Sequence, residues 1–239
     1  HQVEGNNSNS DVWFQEHVTP TVYSEPSGDA ANSFNLWPTD MDLVKGLGMN
    51  AYRFSLEWAR IEPAPGLFSI AMLDHYKEMI AGCRARGLTP VVTFNHFTAP
   101  RWFAARGGWS KSDAAEIFAR YCEAAARHLA DGIGYATTLN EPNLSGKLQH
   151  LLPGNFLDAD KAMAEAAARA CGSEHFEAGN GLYIRDPDTT QANLMRGHTL
   201  GRAAIKSVRG NLPVGVSLAI LDDQAVGKNS LRDKMREYF

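Results

Sequence analysis

The sequence predicts an α/β protein with a parallel sheet, in the form of a (β/α)8 barrel. Short runs rich in apolar and β-branched residues alternate regularly with helical patterns, as in βαβ units. The strand-like runs are almost continuously apolar, which is expected when both faces of a sheet are covered. A doubly wound sheet also fits this alternation. However, polar and aromatic residues follow the strand ends and no GxGxxG follows the first strand, so the barrel is favoured.

The first βαβ unit lies in residues 51–95. Residues 51–56 (AYRFSL) predict a strand, and residues 70–86 predict the helix that follows it. Gly87 stands where a glycine commonly ends a helix. The next strand is predicted at residues 88–95 (LTPVVTFN), which are rich in β-branched side chains.

A second helix is predicted at residues 112–130, with Ser110 or Ser112 as its N-cap. Its apolar stripe consists of Ile117, Phe118, Tyr121 and Leu129. The remaining predicted elements are a strand at 133–139, a helix at 158–171, a helix at 191–208 and a strand at 214–220. Residues 142–190 form a long loop insertion around the helix at 158–171, and loops of this kind on a barrel often shape the substrate entrance.

Composition limits the class of protein. With 239 residues, 44% of them hydrophobic, the chain can build one sizeable core, so we expect residues 1–239 to form a single, partial domain. The net charge of −4 gives no reason to expect nucleic acid or an anionic membrane as partner, and no apolar stretch approaches the roughly 20 residues of a membrane span. The start at His1 shows no signal-like region. The three cysteines are far apart, which argues against a disulfide framework or a zinc site, so we expect a cytoplasmic protein.

Four polar sets follow predicted strand ends. They are His1 to Gly5 (HQVEG), Arg53 with Glu57 and Trp58, Asn95 to Phe97 (NHF), and Asn140 to Asn143 (NEPN). Planar amides and imidazoles bind vicinal sugar hydroxyls, and aromatic faces cover the C–H surfaces of a sugar. The four sets together therefore indicate a carbohydrate site.

Longer motifs make this indication specific. YRFSLEWARIEP (52–63), TFNHFTAPRWF (93–103), GGW (107–109) and TLNEPN (138–143) stand in an order and spacing that resemble glycoside hydrolase family 1. HQVEG resembles the end of that family's first barrel strand. The resemblance covers residue 1 to about residue 220 and is weakest in residues 142–190. Related barrel glycosidases share Asn-Glu-Pro, but HQVEG and NHF argue against them.

The resemblance implies a (β/α)8 barrel (TIM barrel) enzyme with Glu141 as its catalytic residue. Glu141 is similar to the family's general acid, which protonates the glycosidic oxygen and then activates water as a general base. Asn140 is similar to the asparagine that binds the sugar 2-hydroxyl. No cofactor and no metal is implied.

Four further residues are implied to bind the substrate, a small β-glycoside. Gln2 and His96 are similar to residues that hold the distant hydroxyls of the sugar. Arg53 is similar to an arginine beside the nucleophile, although it could also pair with Glu57 inside the barrel. Trp109 is similar to a tryptophan near the site.

The catalytic nucleophile of the family is not found in this sequence. In the family it lies in a Thr-Glu-Asn-Gly setting late in the barrel, and these 239 residues contain no such motif. The resemblance thus implies that this chain supplies about the first five strands of the barrel. We expect the missing C-terminal part to come from the same polypeptide or from a second chain, and the isolated 239 residues to be inactive. The alternative is a glycoside-binding half barrel that cleaves nothing.

Overall fold

The structure is a computed structural model that describes residues 3–148, 154–179 and 186–220. Its sheet has four parallel strands in the order β1-β2-β3-β4, so each strand lies beside the next one in the chain. The strands are β1 (Ala51–Ser55), β2 (Thr89–Asn95), β3 (Tyr135–Asn140) and β4 (Val214–Ser217). The helices are α1 (Asp11–Glu16), α2 (Ser33–Gly46), α3 (Trp58–Ile61), α4 (Ile70–Ala85), α5 (Arg101–Ala105), α6 (Ala114–Leu129), α7 (Leu144–Leu148), α8 (Gly154–Cys171) and α9 (Pro187–Val208), with short 3₁₀ turns at Gly108–Ser110 and Ala130–Gly132. The parallel α/β class is confirmed.

The two faces of the sheet differ in polarity. Phe54, Val92 and Ala136 are paired across β1, β2 and β3 and are buried in the main core. The next paired row is Ser55, Thr93 and Thr137, whose side chains point to the opposite face because side chains alternate along a strand. One face therefore packs against helices, and the other presents hydroxyl groups.

Helices α6 and α9 form the largest helix-to-helix contact of the described chain. The predicted apolar stripe of α6 is buried throughout. Glycines on α9 allow the close approach, because a Cβ atom at Gly197 would lie only 2.7 Å from the ring of Trp109, and one at Gly201 would lie 3.0 Å from Phe118. These contacts hold α9 against α6 and against the ring of Trp109.

Most predicted elements are confirmed within a few residues. The helix predicted at 70–86 is α4, where the Ser69 hydroxyl accepts from the backbone N–H of Met72 (3.3 Å) and Gly87 follows the helix with a φ of 70°. The cap prediction for α6 is wrong. Its N-cap is Asp113, and the hydroxyl of Ser110 instead donates to Glu177. Neither α1 nor α2 was predicted.

The beginning of the chain corrects another prediction. The strand tail expected in HQVEG falls partly on residues 1 and 2, which lie outside the described residues, while Val3 and Glu4 form a turn. The long loop predicted at 142–190 contains α7 and α8 where the structure describes it, and residues 149–153 and 180–185 lie outside the described part.

Candidate active site

The carboxyl ends of β1, β2 and β3 bring the predicted site residues to one edge of the sheet. Ser55 ends β1, Asn95 ends β2 directly before His96, and Asn140 ends β3 directly before Glu141. Parallel strands present their carboxyl ends at the same edge, which is where barrel enzymes build their active sites. Residues 87 positions apart in the sequence are therefore in direct contact here.

Arg53 connects the strands by hydrogen bonds. Its Nε donates to the hydroxyl of Thr93 (2.9 Å), and its Nη2 donates to Oδ1 of Asn140 (2.7 Å). Thr93 is also hydrogen bonded to the hydroxyl of Thr137 (2.7 Å). The guanidinium group thus fixes the carboxamide of Asn140, which is 4% exposed. Since Oδ1 is engaged, the Nδ2 protons of Asn140 are the groups that it can offer to a ligand.

Glu141 follows at once in a left-handed backbone conformation, with a φ of 46°. This conformation is unusual for a residue with a side chain and needs support from neighbouring bonds. The N–H of Glu141 donates to the carbonyl of Ser217 (2.8 Å), and its own carbonyl accepts from Leu144 (3.0 Å). Glu141 is partly buried.

A cavity of about 390 Å³ opens beside this edge. Its lining includes Arg53, Ser55, Glu57, His96 and Phe97. Asn140, which accepts from Arg53 across β2, and Glu141, which follows it, are not part of the lining. The cavity therefore adjoins the cluster around Asn140, with Arg53 common to both.

Among the described residues, the ring of His96 is held by a hydrogen bond between its Nδ1 and the hydroxyl of Ser55 (3.3 Å). Desolvation lowers the pKa of His96 below its ordinary value of 6.5, and the positive charge of Arg53 lowers it further. A neutral imidazole can donate from one ring nitrogen and accept at the other. With Nδ1 engaged by Ser55, Nε2 is the nitrogen available to a ligand in the cavity.

Glu4 and Glu57, which line the cavity, belong to a largely buried cluster with Arg60 and Tyr76. Oε2 of Glu4 accepts from Nε of Arg60 (2.9 Å), and Oε1 accepts from the hydroxyl of Tyr76 (2.8 Å). Tyr76 in turn accepts from the backbone N–H of Glu57 (3.1 Å). Desolvation and the negative charge of Glu57 raise the pKa of Glu4 to about 7, although Arg60 opposes this shift. No sequence motif indicates this cluster, because its members come from three separate segments of the chain.

The position of Trp109 does not support its predicted role in substrate binding. Its ring is 4% exposed and packs edge-on against Phe103 and Phe118 in the main core. Among the aromatic residues that line the cavity, Phe97 has a φ of 64°, and its ring lies edge-on to that of His96. The NHF motif, which places Phe97 directly after His96, was the available signal.

Other predicted residues are placed as follows. Gln2 lies outside the described residues, so its predicted role stays a prediction. The hydrogen bonds of Arg53 lead to Thr93 and Asn140, while Oε2 of Glu57 accepts from Asn7 (2.6 Å) and Thr98 (2.9 Å). The pairing of Arg53 with Glu57 that the sequence also allows stays a prediction.

Within residues 3–148, 154–179 and 186–220, no group of three or more potential metal ligands comes together. None of the helices described there is both long and apolar enough to cross a membrane.

A parallel sheet that packs helices on one face and gathers polar side chains at its carboxyl edge is the arrangement found in (β/α)8 barrel enzymes. Residues 2–172 match the family model described as glycosyl hydrolase family 1. This match covers more than half of the sequence, and the chain belongs to that family.

Comparison with individual proteins agrees with this assignment. A beta-glucosidase from Agrobacterium sp. is 37% identical over 132 residues, which are 54% of this chain and 29% of that enzyme. A putative beta-glucosidase 17 from Oryza sativa is 30% identical over 188 residues, which are 77% of this chain and 58% of that protein.

Solved structures show how much of the fold is present. The structure of a beta-glucosidase 1317 matches with a TM-score of 0.89 and 38% identity, over 98% of this chain and 58% of that one. The structure of beta-glycosidase BGL167 matches with a TM-score of 0.86 and 42% identity, over 98% and 57%. The chain thus spans between 29% and 58% of the length of these four relatives. The prediction of an incomplete (β/α)8 barrel is confirmed.

Proposed function

We propose that this chain is the part of a retaining β-glycosidase that contributes the acid/base residue, Glu141, and that the substrate is a terminal β-glucoside. The main support is the bond of Arg53 to Asn140, one residue before Glu141, at a sheet edge that also presents His96. The names of the relatives support glucose as the sugar, since several are beta-glucosidases.

Each group at the edge has a distinct role in this proposal. Glu141 donates a proton to the glycosidic oxygen as the leaving group departs, and afterwards takes a proton from the water that releases the sugar. Asn140, oriented by Arg53, donates from Nδ2 to the sugar 2-hydroxyl, a contact that strengthens in the transition state. His96 uses Nε2 for a hydroxyl further along the ring.

The nucleophile is proposed to be a second carboxylate outside this chain segment. In a retaining enzyme the two carboxyl groups lie about 5 Å apart. The remaining strands, from the same polypeptide or from a second chain, would supply that carboxylate opposite Glu141. The cytoplasmic location also stays a proposal.

The test uses this chain together with the rest of its barrel and compares two classes of β-glucoside. Glu141→Gln should lower the hydrolysis rate of alkyl glucosides, which need protonation, by about 10² to 10⁴. Release of an activated dinitrophenol should fall much less, because that leaving group departs with little protonation. The measurement is the rate of the first, leaving-group-releasing step for both substrates.

The matched control is Glu78→Gln, which removes an exposed carboxylate from α4 and should change neither rate. Equal losses for both substrates in Glu141→Gln would refute the acid role. A completed barrel that binds glucosides but hydrolyses none would support the glycoside-binding alternative instead.

A further inference from the structure

The segment after β3, residues 141–143, is tied to the segment after β4 by a side chain that imitates a strand. We call residues 141–143 the acid/base loop. Nδ2 of Asn143 donates to the carbonyl of Ala219 (2.9 Å), and the N–H of Ala219 donates to Oδ1 of Asn143 (3.0 Å). A carboxamide offers a donor and an acceptor side by side, as a peptide group does. The pair therefore repeats the pattern of two adjacent backbones.

This pair continues the ladder between β3 and β4 beyond the ends of both strands. Within the sheet, Asn140 is paired with Ser217. The N–H of Glu141 donates to the carbonyl of Ser217, and the Asn143 pair lies two residues further along each segment. The acid/base loop is thus attached at its first residue to the end of β4 and at its last residue to the segment after β4.

The backbone between these two attachments carries strain. Glu141 has a φ of 46°, in the left-handed region that residues with a side chain rarely adopt. Such a conformation persists when the surrounding bonds over-determine it. The direction of the Glu141 side chain depends on this backbone conformation, so whatever fixes residue 143 also restricts where the carboxyl group points.

We infer that Asn143 is a positioning residue for Glu141, acting through its paired hydrogen bonds to Ala219. The inference rests on the proposed function, because it gives Asn143 a role in catalysis only if Glu141 is the acid/base. Asn143 touches no substrate in this account. Its task is to keep the carboxyl group of Glu141 aimed at the glycosidic oxygen.

The first measurement is amide hydrogen exchange. Asn143→Ala removes the acceptor of the Ala219 N–H, and the exchange rates of Ala219 and Glu141 should rise about tenfold. Asn143→Asp keeps an acceptor for that N–H but loses the donor to the Ala219 carbonyl. Its exchange rates should therefore lie between those of the unsubstituted chain and those of Asn143→Ala. The control is Asn211→Ala, an exposed asparagine before β4 whose side chain bonds locally to Arg209, and it should leave both rates unchanged.

The second measurement separates positioning from mere structure and uses the chain with the rest of its barrel. Asn143→Ala should slow the cleavage of alkyl glucosides about ten- to a hundredfold more than that of a dinitrophenyl glucoside, because a misdirected acid hurts only the former. Asn143→Asp should recover part of this difference.

The outcomes are distinguishable. Unchanged exchange at Ala219 would overturn the pairing itself, and equal losses on both substrates would overturn the positioning role. If Glu141→Gln shows the leaving-group dependence and Asn143→Ala does not, the inference alone is wrong. If Glu141→Gln shows none, the proposed function fails and the positioning role fails with it.

Discussion

The two ends of the candidate site are held by different kinds of bond. At one end, the cluster of Glu4, Glu57, Arg60 and Tyr76 joins the chain start, α3 with its N-cap, and α4 through largely buried bonds, which include the ion pair of Glu4 with Arg60. At the other end, the acid/base loop is held by neutral hydrogen bonds to the last residue of β4 and to Ala219 in the segment after it.

Buried ion pairs and neutral hydrogen bonds differ in how far the effect of a local substitution should spread. Removing one partner of a buried ion pair leaves the other charge desolvated, and this penalty is felt by the whole fold. Neutral hydrogen bonds contribute about 1 kcal/mol each, so their loss stays mostly local. We therefore expect substitutions in the buried cluster to change stability, and substitutions in the acid/base loop to change catalysis.

The largest effect is expected for Arg60→Met. Arg60 donates to Glu4 (2.9 Å) and to the carbonyl of Gly5 (2.6 Å), and its guanidinium lies 4.3 Å from the ring centre of Phe34. Methionine fills similar space without charge and leaves Glu4 and Glu57 buried together. The free energy of unfolding, measured with urea, should fall by about 3–5 kcal/mol.

Arg127→Met is the matched control for this loss. Arg127 also pairs with a glutamate, Glu123, but on the surface of α6, with both side chains well exposed. Exposed pairs contribute at most about 1 kcal/mol, so stability should hardly change. Similar losses for the two arginine variants would break the comparison, since the buried cluster would then behave like a surface pair.

The next largest effect concerns pH. The pKa of Glu4 is raised by desolvation from 4.5 to about 7, so the folded state binds a proton more tightly than the unfolded state. The stability that this group contributes is fully present below about pH 4.5 and is lost as the pH rises through about 7. A shift of this size corresponds to roughly 3 kcal/mol at most.

Glu4→Gln should therefore flatten the decline in unfolding free energy between about pH 5 and about pH 8. Desolvation also raises the pKa of Asp11 to about 7, so part of the decline in unfolding free energy should remain. Glu123→Gln, an exchange of the same kind on the surface of α6, should leave the decline as it is. A Glu4→Gln profile that runs parallel to the unsubstituted chain would show that Glu4 does not titrate in this range.

Elements with strong local patterns were predictable from the sequence. The β-branched run of β2 predicts a strand, the apolar stripe of α6 predicts a helix, and Gly87 marks the end of α4. Helix α2 was missed because its segment follows a polar stretch and contains Pro38 within the helix. The N-cap of α6 was wrong because Ser110 is engaged by Glu177, a residue 67 positions away.

The site was predictable where a motif states a residue's neighbours in the sequence, and less so where the neighbours come from elsewhere. Asn140 and His96 follow strand ends, so their common edge could be expected. Trp109 was assigned to the site because of its motif, but its ring lies in the core, where Gly197 leaves room for it because glycine has no Cβ. The Asn143 pair depends on a backbone 76 residues later, which no local pattern indicates.

The smallest effect is expected at Ser55, the last residue of β1. Its hydroxyl is hydrogen bonded to Nδ1 of His96 (3.3 Å) and can donate or accept there, depending on the tautomer of the imidazole. Ser55→Ala should change stability by less than about 1 kcal/mol, but the ¹⁵N chemical shift of Nδ1 of His96 should change because this hydrogen bond is lost. Ser55→Thr keeps the hydroxyl and should keep the shifts. Unchanged shifts in Ser55→Ala would mean that Ser55 does not orient the imidazole of His96.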